Sequence, residues 1–430
     1  MFKINRRLKE LTRTDQRLEI SIYGAGKMGN GLINQLSRID GIRPSVVINR
    51  TTAKARRALL KAGVRPEDIV ETRSLEEARR ALDQGLFVIS DRKDLGYRLE
   101  PIQAIVDATG DPAYGADLAY EAMDHKKHVI MLNVECDCVI GPILYKKAQE
   151  NQVVYTGTKG DEPGAIMELA DFAYSLGFDL LAVGKGKNNK LDRYANEDSL
   201  ADQAKKKGLN PRMLTSFVDG TNTMIELTTV ANALGFLPDV EGCHGISTDP
   251  KRAAQDFSLK SQGGVLSSYG IVDFAFGMAP GVFAIVTSDQ EEVVDLMDYL
   301  SMGEGPNYLI YRPYHLTSLE TPITIFEAIV ENEASLAPIK GQVADTITYA
   351  KRDLKKGDSL GGIGSRDVYG LITSHERQRA KNYLPIALIT ENTYLLEDVK
   401  KDQAISYDMV QLDEGESLVR LRKRQEELGL

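Results

Sequence analysis

The sequence has few cysteines, no long apolar run and no excess of positive charge. Its three cysteines, Cys136, Cys138 and Cys243, do not suggest a disulfide framework, and they indicate buried free thiols rather than a metal site. No run of 18 apolar residues occurs, and the basic N-terminus lacks the apolar core of a signal peptide. A net charge of −9 argues against nucleic-acid binding. We therefore expect a cytoplasmic protein whose partners include neither membrane nor nucleic acid.

Residues 18–36 have the pattern of a strand, a tight turn and a helix. An apolar stretch leads into Gly24, Gly26 and Gly29 at G-x-G-x-x-G spacing, and apolar residues then recur at helical intervals. In a dinucleotide-binding turn these glycines make the turn, admit a pyrophosphate and let the helix pack on the strand. The helix start, with Lys27 and Met28, would offer free N–H groups to phosphates. We predict a dinucleotide site, and the alternative is an ordinary strand-to-helix turn.

The end of the second predicted strand, 45–49, bears on the choice between NAD(H) and NADP(H). This position normally meets the adenosine ribose, where a carboxylate would accept hydrogen bonds from the 2′-hydroxyl of NAD. The chain instead has Asn49, Arg50 and Thr51 there. A guanidinium can pair with a 2′-phosphate, so the sequence favours NADP(H) over NAD(H). Alternatively, Arg50 stacks on the adenine or caps the next helix.

Short apolar stretches alternate with helical patterns up to about residue 160, and this predicts a doubly wound parallel sheet of the Rossmann type. The predicted strands cover 86–90, 104–108, 128–132 and 153–156, and helices are predicted over 114–126 and 142–151. Thr109, Gly110 and Asn133 follow two of them. Because ligands gather at the carboxyl ends of such strands, we predict that these residues contact the cofactor. Glu135 lies on the same rim or is a solvated loop carboxylate.

Two lysines follow a strand predicted over 179–183. Lys185 and Lys187 stand in a glycine-containing loop with Asn188 and Asn189. Lysines at i and i+2 point the same way in an extended chain, and glycines would let a ligand approach the backbone. The combination suits an anionic or polyhydroxylated substrate, or a lysine that gives a proton to a carbonyl oxygen. The alternative is a flexible basic loop.

Further polar side chains complete the candidate catalytic and substrate-binding set. Asn222 and Glu226 are four residues apart on a helix predicted over 222–234, and Asp219 stands just before it. A carboxylate and an amide at a helix start can hold a lysine ammonium or a substrate hydroxyl, and helix capping is the alternative. Arg312 and His315 lie in an aromatic-rich run, where the histidine is either a site residue or a structural one.

The length and composition predict a soluble globular protein of two or three domains. The chain has 430 residues, of which 42% are hydrophobic and 27% charged. The fold class is α/β. We predict a Rossmann dinucleotide-binding domain over 1–160, an α+β central catalytic domain over 161–335, and a small β-rich domain with a C-terminal helix over 336–430.

Three motifs resemble a known family. GAGKMG at 24–29 and VDGTNTM at 218–224 resemble the cofactor and active-site regions of homoserine-dehydrogenase-like proteins. AKRDLKKGD at 350–358 resembles the SAF domain, a β-clip module. A homoserine-dehydrogenase-like body followed by a SAF domain is the arrangement of the deoxyxylulose-phosphate-reductoisomerase-like proteins.

The resemblance implies hydride transfer between NADP(H) and a small polar substrate. In the reductoisomerase-like members, 1-deoxy-D-xylulose 5-phosphate becomes 2-C-methyl-D-erythritol 4-phosphate, a step in isoprenoid biosynthesis. Lys185 and Lys187 would bind phosphate or protonate an alkoxide, and Asp219 and Glu226 would orient the lysine or hold substrate hydroxyls. A divalent metal, Mg²⁺ or Mn²⁺, would assist the isomerisation, with Glu135, Asp219 and Glu226 as nominated ligands. The resemblance also implies a homo-oligomer.

Two other interpretations stay open. In one, the chain is a dehydrogenase of a small sugar acid, polyol or amino-acid alcohol. In the other, it is a non-catalytic protein that senses NADP. A requirement for divalent metal and a phosphorylated substrate would favour the reductoisomerase. Cofactor binding without any turnover would favour the sensor.

Overall fold

The structure is a computed structural model that describes residues 3–430. Its strands are β1 Leu18–Tyr23, β2 Ile42–Ile48, β3 Ile69–Glu71, β4 Phe87–Ser90, β5 Ala104–Asp107, β6 His128–Met131, β7 Tyr155–Gly157, β8 Asp179–Gly186, β9 Ile246–Ser247, β10 Ile271–Phe276, β11 Val282–Thr287, β12 Asn307–Arg312, β13 Ala344–Ala350, β14 Val368–Ser374, β15 Tyr394–Leu395 and β16 Val410–Gln411. Its helices are α1 Lys3–Arg13, α2 Lys27–Leu36, α3 Thr52–Lys61, α4 Leu75–Asp83, α5 Leu95–Arg98, α6 Pro112–Asp124, α7 Val134–Asn151, α8 Glu162–Ser175, α9 Ala201–Lys207, α10 Pro211–Asp219, α11 Thr221–Leu234, α12 Ala253–Asp256, α13 Glu291–Tyr299, α14 Thr321–Phe326, α15 His375–Ala380 and α16 Ser417–Leu428.

Two compact units are formed from interleaved stretches of the chain. The first contains residues 3–161 and Leu316–Ala337, and the second contains Glu162–His315 and Pro338–Leu430. The stretch 316–335, which the sequence analysis placed in the central domain, therefore packs within the first unit. The three predicted domains stay a prediction, because one compact unit can hold more than one domain.

The first unit is built on a seven-stranded sheet in the order β3-β4-β2-β1-β5-β6-β7, with every neighbouring pair parallel. Strand order reverses between β1 and β5, and such a switch point is where nucleotides bind in doubly wound sheets. The predicted parallel Rossmann-type sheet is confirmed. The three-residue strand β3 was not predicted, since its Ile-Val-Glu sequence is too short to show a period.

The second unit contains a five-stranded mixed sheet in the order β12-β11-β8-β10-β9. The central strand β8 runs parallel to β10 and antiparallel to β11. Helices α8 and α11 share a buried apolar cluster with this sheet through residues such as Ile166, Leu227 and Val272. After Pro338 the chain forms two small antiparallel pairs, β13 with β14 and β15 with β16, and isolated bridges. This region is rich in short strands, as predicted, but nothing in it is specific to a SAF domain.

Two local predictions were wrong. The segment 184–189 was expected to be a loop, yet β8 continues through Gly186, and Lys185 is paired within the sheet with Phe274 and Val282. The helix expected to begin at Pro142 begins at Val134 and contains that proline. The Asn133 side chain starts it by accepting a hydrogen bond from the Cys136 N–H at 3.3 Å.

The cysteines form no disulfide among the described residues. Cys136 and Cys138 are buried, Cys243 is half-buried, and all three are free thiols. Across residues 3–430, no helix combines the length and the apolarity that a bilayer span requires.

Candidate functional site

The glycine turn of the first unit has the geometry that its predicted roles require. Gly24 adopts φ +95°, and a Cβ there would lie 2.7 Å from the Ala108 carbonyl oxygen. A Cβ on Gly29 would lie 1.9 Å from the Gly24 carbonyl oxygen, so α2 packs on the turn only with glycine at this position. A Cβ on Gly26, by contrast, would meet nothing within 4 Å. The space beside the first turn of α2 is therefore open, as a pyrophosphate at a helix N-terminus needs.

The three residues after β2 have different surroundings. The Asn49 side chain accepts a hydrogen bond from the Ala25 N–H at 2.9 Å and donates to the Thr51 carbonyl at 2.8 Å. Asn49 therefore braces the glycine turn. Arg50 and Thr51 are exposed, and within the described part of the chain Arg50 has no ion pair or side-chain hydrogen bond. Its guanidinium is available to an anion.

The residues after β5 and β6 form a buried hydrogen-bond network around Asp107. Asp107 accepts from the Thr109 hydroxyl at 2.6 Å and from the Asn133 amide at 2.9 Å. Burial raises the pKa of Asp107, although these hydrogen bonds act to lower it. The Asn133 amide also donates to the Asp111 carbonyl at 2.8 Å and is fully buried. The Thr109 and Asn133 side chains thus shape the turn around Gly110. The predicted contact of Asn133 with the cofactor would therefore be indirect.

Glu135 is the second residue of α7 rather than a solvated loop residue. Burial raises the pKa of its carboxyl group to about 7, while its own backbone N–H lowers it and the nearby Asp161 and Asp107 carboxylates raise it further. Glu135 therefore exchanges its proton near neutral pH.

The second unit buries Lys185 between two carboxylates. Its ammonium lies 2.8 Å from a Glu162 oxygen and forms a short contact with Glu226, and all three side chains are at most 14% exposed. Glu162 is the first residue of α8 and Glu226 lies on α11, so two helices place the carboxylates over the central strand. Further side-chain contacts extend this group beyond each carboxylate. Asn222 donates to Glu226 at 2.7 Å, and His315 Nδ1 lies 3.4 Å from Glu162.

The charges in this group stabilise one another. Burial alone would lower the pKa of Lys185, but Glu162 and Glu226 raise it above its usual value, so the ammonium stays charged. Burial alone would raise the pKa of Glu162, and Lys185 and then His315 lower it below its usual value. The result is a buried ammonium that stays charged between two carboxylates.

The pKa of Lys187 is shifted in the opposite direction, below its usual value. Lys187 lies two residues after Lys185, just beyond the end of β8, and is 6% exposed. Its ammonium donates to the Phe217 carbonyl oxygen at 2.7 Å. Burial, and then the neighbouring Lys185 charge, lower its pKa to about 8. A lysine with this pKa can give up and regain a proton near neutral pH, as a general acid requires.

The glycines beside these lysines have a structural role that the sequence analysis did not predict. A Cβ on Gly184 would lie 2.1 Å from the Asp273 carbonyl oxygen, and one on Gly186 would lie 2.2 Å from the Ala279 backbone nitrogen. The interpretation that these glycines admit a ligand was therefore wrong. They admit neighbouring protein backbone, which lets the lysine-bearing strand lie in the middle of the sheet.

Four more of the predicted site residues lie outside this group. Asp219 forms a buried ion pair with Lys351 at 2.7 Å and does not contact Lys185. Arg312 pairs with Glu168 and lies over the Tyr314 ring at 4.7 Å. Asn188 and Asn189 follow the end of β8, the first exposed and the second half-buried. The partners Lys351 and Glu168 were not predicted, because no local pattern links residues more than a hundred positions apart.

Comparison with known proteins places this group within a matched stretch. Residues 160–321 match the family model described as "Oxidoreductase DRL, catalytic domain", which is less than half of the chain. The stretch contains Glu162, Lys185, Lys187, Glu226 and His315. The prediction that the chain is an enzyme of the oxidoreductase class is confirmed. No comparison specifically supports the homoserine-dehydrogenase-like, SAF or reductoisomerase assignment.

Several solved structures are weakly similar. They include a protein of Sinorhizobium meliloti 1021 provisionally assigned as a myo-inositol dehydrogenase, with 11% identity over 75% of this chain and 92% of that one and a TM-score of 0.42. A provisionally assigned dehydrogenase of Thermotoga maritima has 12% identity over 75% and 92%, with a TM-score of 0.40. GenD2 from gentamicin A biosynthesis, in complex with NAD, has 12% identity over 76% and 90%, with a TM-score of 0.37. These values do not bear on activity. No protein with a curated description matches the chain at a significant level.

Proposed function

We propose that the chain is an NADP(H)-dependent oxidoreductase that interconverts a carbonyl and an alcohol carbon of a small polar substrate. The observation that carries the proposal is the pair of buried lysines at the end of β8, Lys185 on the strand and Lys187 directly after it. One is held charged between Glu162 and Glu226, and the other has a pKa of about 8. In this proposal the glycine turn of the first unit holds the dinucleotide, and the two lysines of the second unit serve the substrate oxygen.

Lys187 is the proton donor in this proposal. During reduction its ammonium gives a proton to the oxygen that gains negative charge, and the neutral amine is then reprotonated from water. During oxidation the neutral amine takes the proton from the alcohol. Lys185 supports both directions, because its fixed positive charge keeps the pKa of Lys187 within the working range. We expect the rate of reduction to fall above about pH 8, where Lys187 loses its proton.

Arg50 is the proposed determinant for NADP(H). It follows β2 directly, no carboxylate stands at this position, and its guanidinium has no protein ion pair among the described residues. Arg50→Asp should weaken NADPH binding by at least about tenfold, since it replaces a phosphate-pairing group with a repelling one. NADH binding should change little. Nicotinamide fluorescence titration measures both.

Arg57→Asp is the matched control for this experiment. It makes the same charge change on an exposed residue of α3 in the same unit. If both variants weaken NADPH equally, the effect is one of overall charge and Arg50 does not read the phosphate. If neither nucleotide binds the unmodified protein, the oxidoreductase proposal loses its cofactor.

The reductoisomerase activity is the finer form of the proposal, and the predicted metal ligands do not favour it. Glu162 and Glu226 offer oxygen atoms within 4.8 Å of each other, but the Lys185 ammonium contacts both. It holds the position that a divalent cation would need. Of the nominated ligands, Asp219 is paired with Lys351 and Glu226 with Lys185. The proposed reaction therefore includes no step on a metal ion.

A substrate screen separates the remaining alternatives. NADPH oxidation is followed with 1-deoxy-D-xylulose 5-phosphate, with and without Mg²⁺ or Mn²⁺, and NADP reduction with sugar acids, polyols and amino-acid alcohols. Metal-dependent turnover of the phosphate would establish the reductoisomerase, and metal-independent turnover of an unphosphorylated compound would establish the dehydrogenase. The oxidoreductase assignment favours the reductoisomerase or the dehydrogenase over a non-catalytic sensor. A cytoplasmic homo-oligomer stays the expected form, and light scattering would measure the assembly.

A further inference from the structure

Lys351 is buried in the second unit and has every hydrogen-bond donor occupied. It directly follows β13 and is the second residue of the AKRDLKKGD run. Its ammonium donates to Asp219 Oδ2, to the Ala195 carbonyl and to the Ser365 carbonyl, each at 2.7 Å. An ammonium has three protons, so its capacity is filled. The side chains of Lys351 and Asp219 are 2% and 0% exposed, so neither exchanges its partner for water.

Asp219 ends α10, and the next residues begin α11. Its second carboxylate oxygen accepts from the Thr221 N–H at 2.8 Å. The Thr221 hydroxyl in turn accepts from the Gly370 N–H at 2.9 Å, and Gly220 between them has φ +89°. We call residues 219–221 the α10–α11 corner. Both of its ends are tied to the region after Pro338.

The α10–α11 corner connects directly to the two lysines of the candidate site. On its α10 side, the Phe217 carbonyl accepts the hydrogen bond of Lys187 at 2.7 Å. Carbonyls in the last turn of a helix lack a helical partner, which leaves this one free to accept. On its α11 side, Glu226 contacts Lys185. A shift of the corner would therefore move the acceptor of Lys187.

We propose that Lys351 is a positioning residue: by holding Asp219 it fixes the α10–α11 corner and so keeps the Phe217 carbonyl on the Lys187 ammonium. The proposal deepens the proposed function, because it concerns the residue assigned as proton donor. It also gives the C-terminal region a part in the site, since Lys351 and Ser365 both belong to it. Breaking a buried ion pair on one side only is strongly unfavourable, so this connection resists loosening.

Several charged groups act on Lys187. Burial and the charge of Lys185, two residues earlier, lower its pKa, while the carboxylates of three helices raise it: Glu226 of α11, Asp219 of α10 and Glu162 of α8. Arg193 also lines the small cavity beside Lys187. A test of positioning must therefore separate a moved Phe217 carbonyl from a simple change of charge.

The experiment compares Asp219→Asn with the double variant Lys351→Met/Asp219→Asn. Asp219→Asn removes the carboxylate charge but keeps an acceptor for Lys351. Adding Lys351→Met removes a positive charge, and by direct electrostatics this can only raise the pKa of Lys187. Loss of the Phe217 contact lowers it, because the charged form loses its acceptor. The two explanations predict opposite signs for this second step.

The pKa of Lys187 is read by NMR titration of the full-length protein with 13Cε-labelled lysine, and the resonance is assigned with Lys187→Met. We expect the pKa to fall by about one unit on the second step, as a lost hydrogen bond to the charged form would cause. A rise or no change would overturn the proposal. If the methionine variant does not fold, Lys351→Leu in the same background replaces it, with the same expectations.

Arg422→Met/Asp345→Asn is the matched control. This pair is also buried in the second unit, 1% exposed on both sides, with an N–O distance of 2.9 Å, and it does not involve the α10–α11 corner. Its loss should lower the thermal midpoint and leave the pKa of Lys187 unchanged. An equal pKa shift in the control would mean general loosening and would overturn the proposal. Because NMR needs no turnover, the result is independent of whether Lys187 transfers protons. That role fails separately if Lys187→Met retains full activity.

Discussion

Replacing Lys187 with methionine should make the protein more stable at neutral pH while removing its activity. The side chain is 6% exposed and lies beside a second lysine, so its charge is poorly solvated in the folded state. In the unfolded chain the same ammonium is fully hydrated. Methionine has a similar length and no charge, and it fills the same space.

The size of the effect follows from the displaced pKa. A shift from 10.5 to about 8 disfavours the charged folded form by about 3 kcal/mol, at 1.36 kcal/mol for each unit. The variant leaves the Phe217 carbonyl without its donor, which costs about 1 kcal/mol. We therefore expect a net gain of about 2 kcal/mol at pH 7.

The pH dependence carries the sign of the effect. The folded pKa is depressed, so between about pH 8 and pH 10.5 the unfolded chain binds more protons than the folded one. The unfolding free energy of the unmodified protein therefore increases as the pH rises through that window. Below the window, the cost of burying the charged Lys187 is fully present. The advantage of Lys187→Met should vanish across the window and reverse above pH 10.5, where only the lost hydrogen bond remains.

Urea unfolding followed by circular dichroism at several pH values measures this difference. Lys190→Met is the control, because it removes an exposed lysine three residues further along. Its unfolding free energy should stay parallel to that of the unmodified protein at every pH. A Lys187→Met variant that is destabilised by the same amount from pH 7 to pH 10.5 would refute the assignment of a depressed pKa.

Two further predictions concern the carboxylate pair and the glycine turn. Lys185→Met removes the shared cation of two buried carboxylates and should destabilise the protein by about 3–5 kcal/mol at pH 7. Thermal melts should show this loss shrinking toward pH 5, and a pH-independent loss would argue that the ion pairs are unimportant. Gly26→Ala should fold normally yet bind NADPH at least about tenfold more weakly, since the new methyl group enters open space at the phosphate position. Gly29→Ala should disrupt the first unit itself, because its Cβ would overlap backbone at 1.9 Å, and circular dichroism separates the two cases.

Much of the first unit could be predicted because its signals are local. A buried parallel strand is a short apolar run, and the glycine turn needs three glycines at fixed spacing, so both are visible in consecutive residues. Asn133 shows the limit. Its position after β6 is that of a ligand contact, but its amide is turned inward to the buried Asp107. Only the packing of α6 and α7 against the sheet determines that orientation.

The second unit was harder to predict because its pairs are distant in sequence. The local pattern identified Lys185, the pair Asn222 and Glu226, and His315 separately, and the fold brings them into one chain of contacts. It also removed Asp219 from that group by pairing it with Lys351.

The sequence by itself determined the parallel sheet, the glycine turn and the presence of two lysines separated by one residue, since these depend on neighbouring residues and on backbone geometry. Only the tertiary structure decided the pKa values of those lysines. A pKa depends on burial and on charges within a few ångströms, and here the carboxylates stand on α8, α10 and α11 while the Lys185 charge itself acts on Lys187. Two lysines separated by one glycine thus have pKa values displaced in opposite directions.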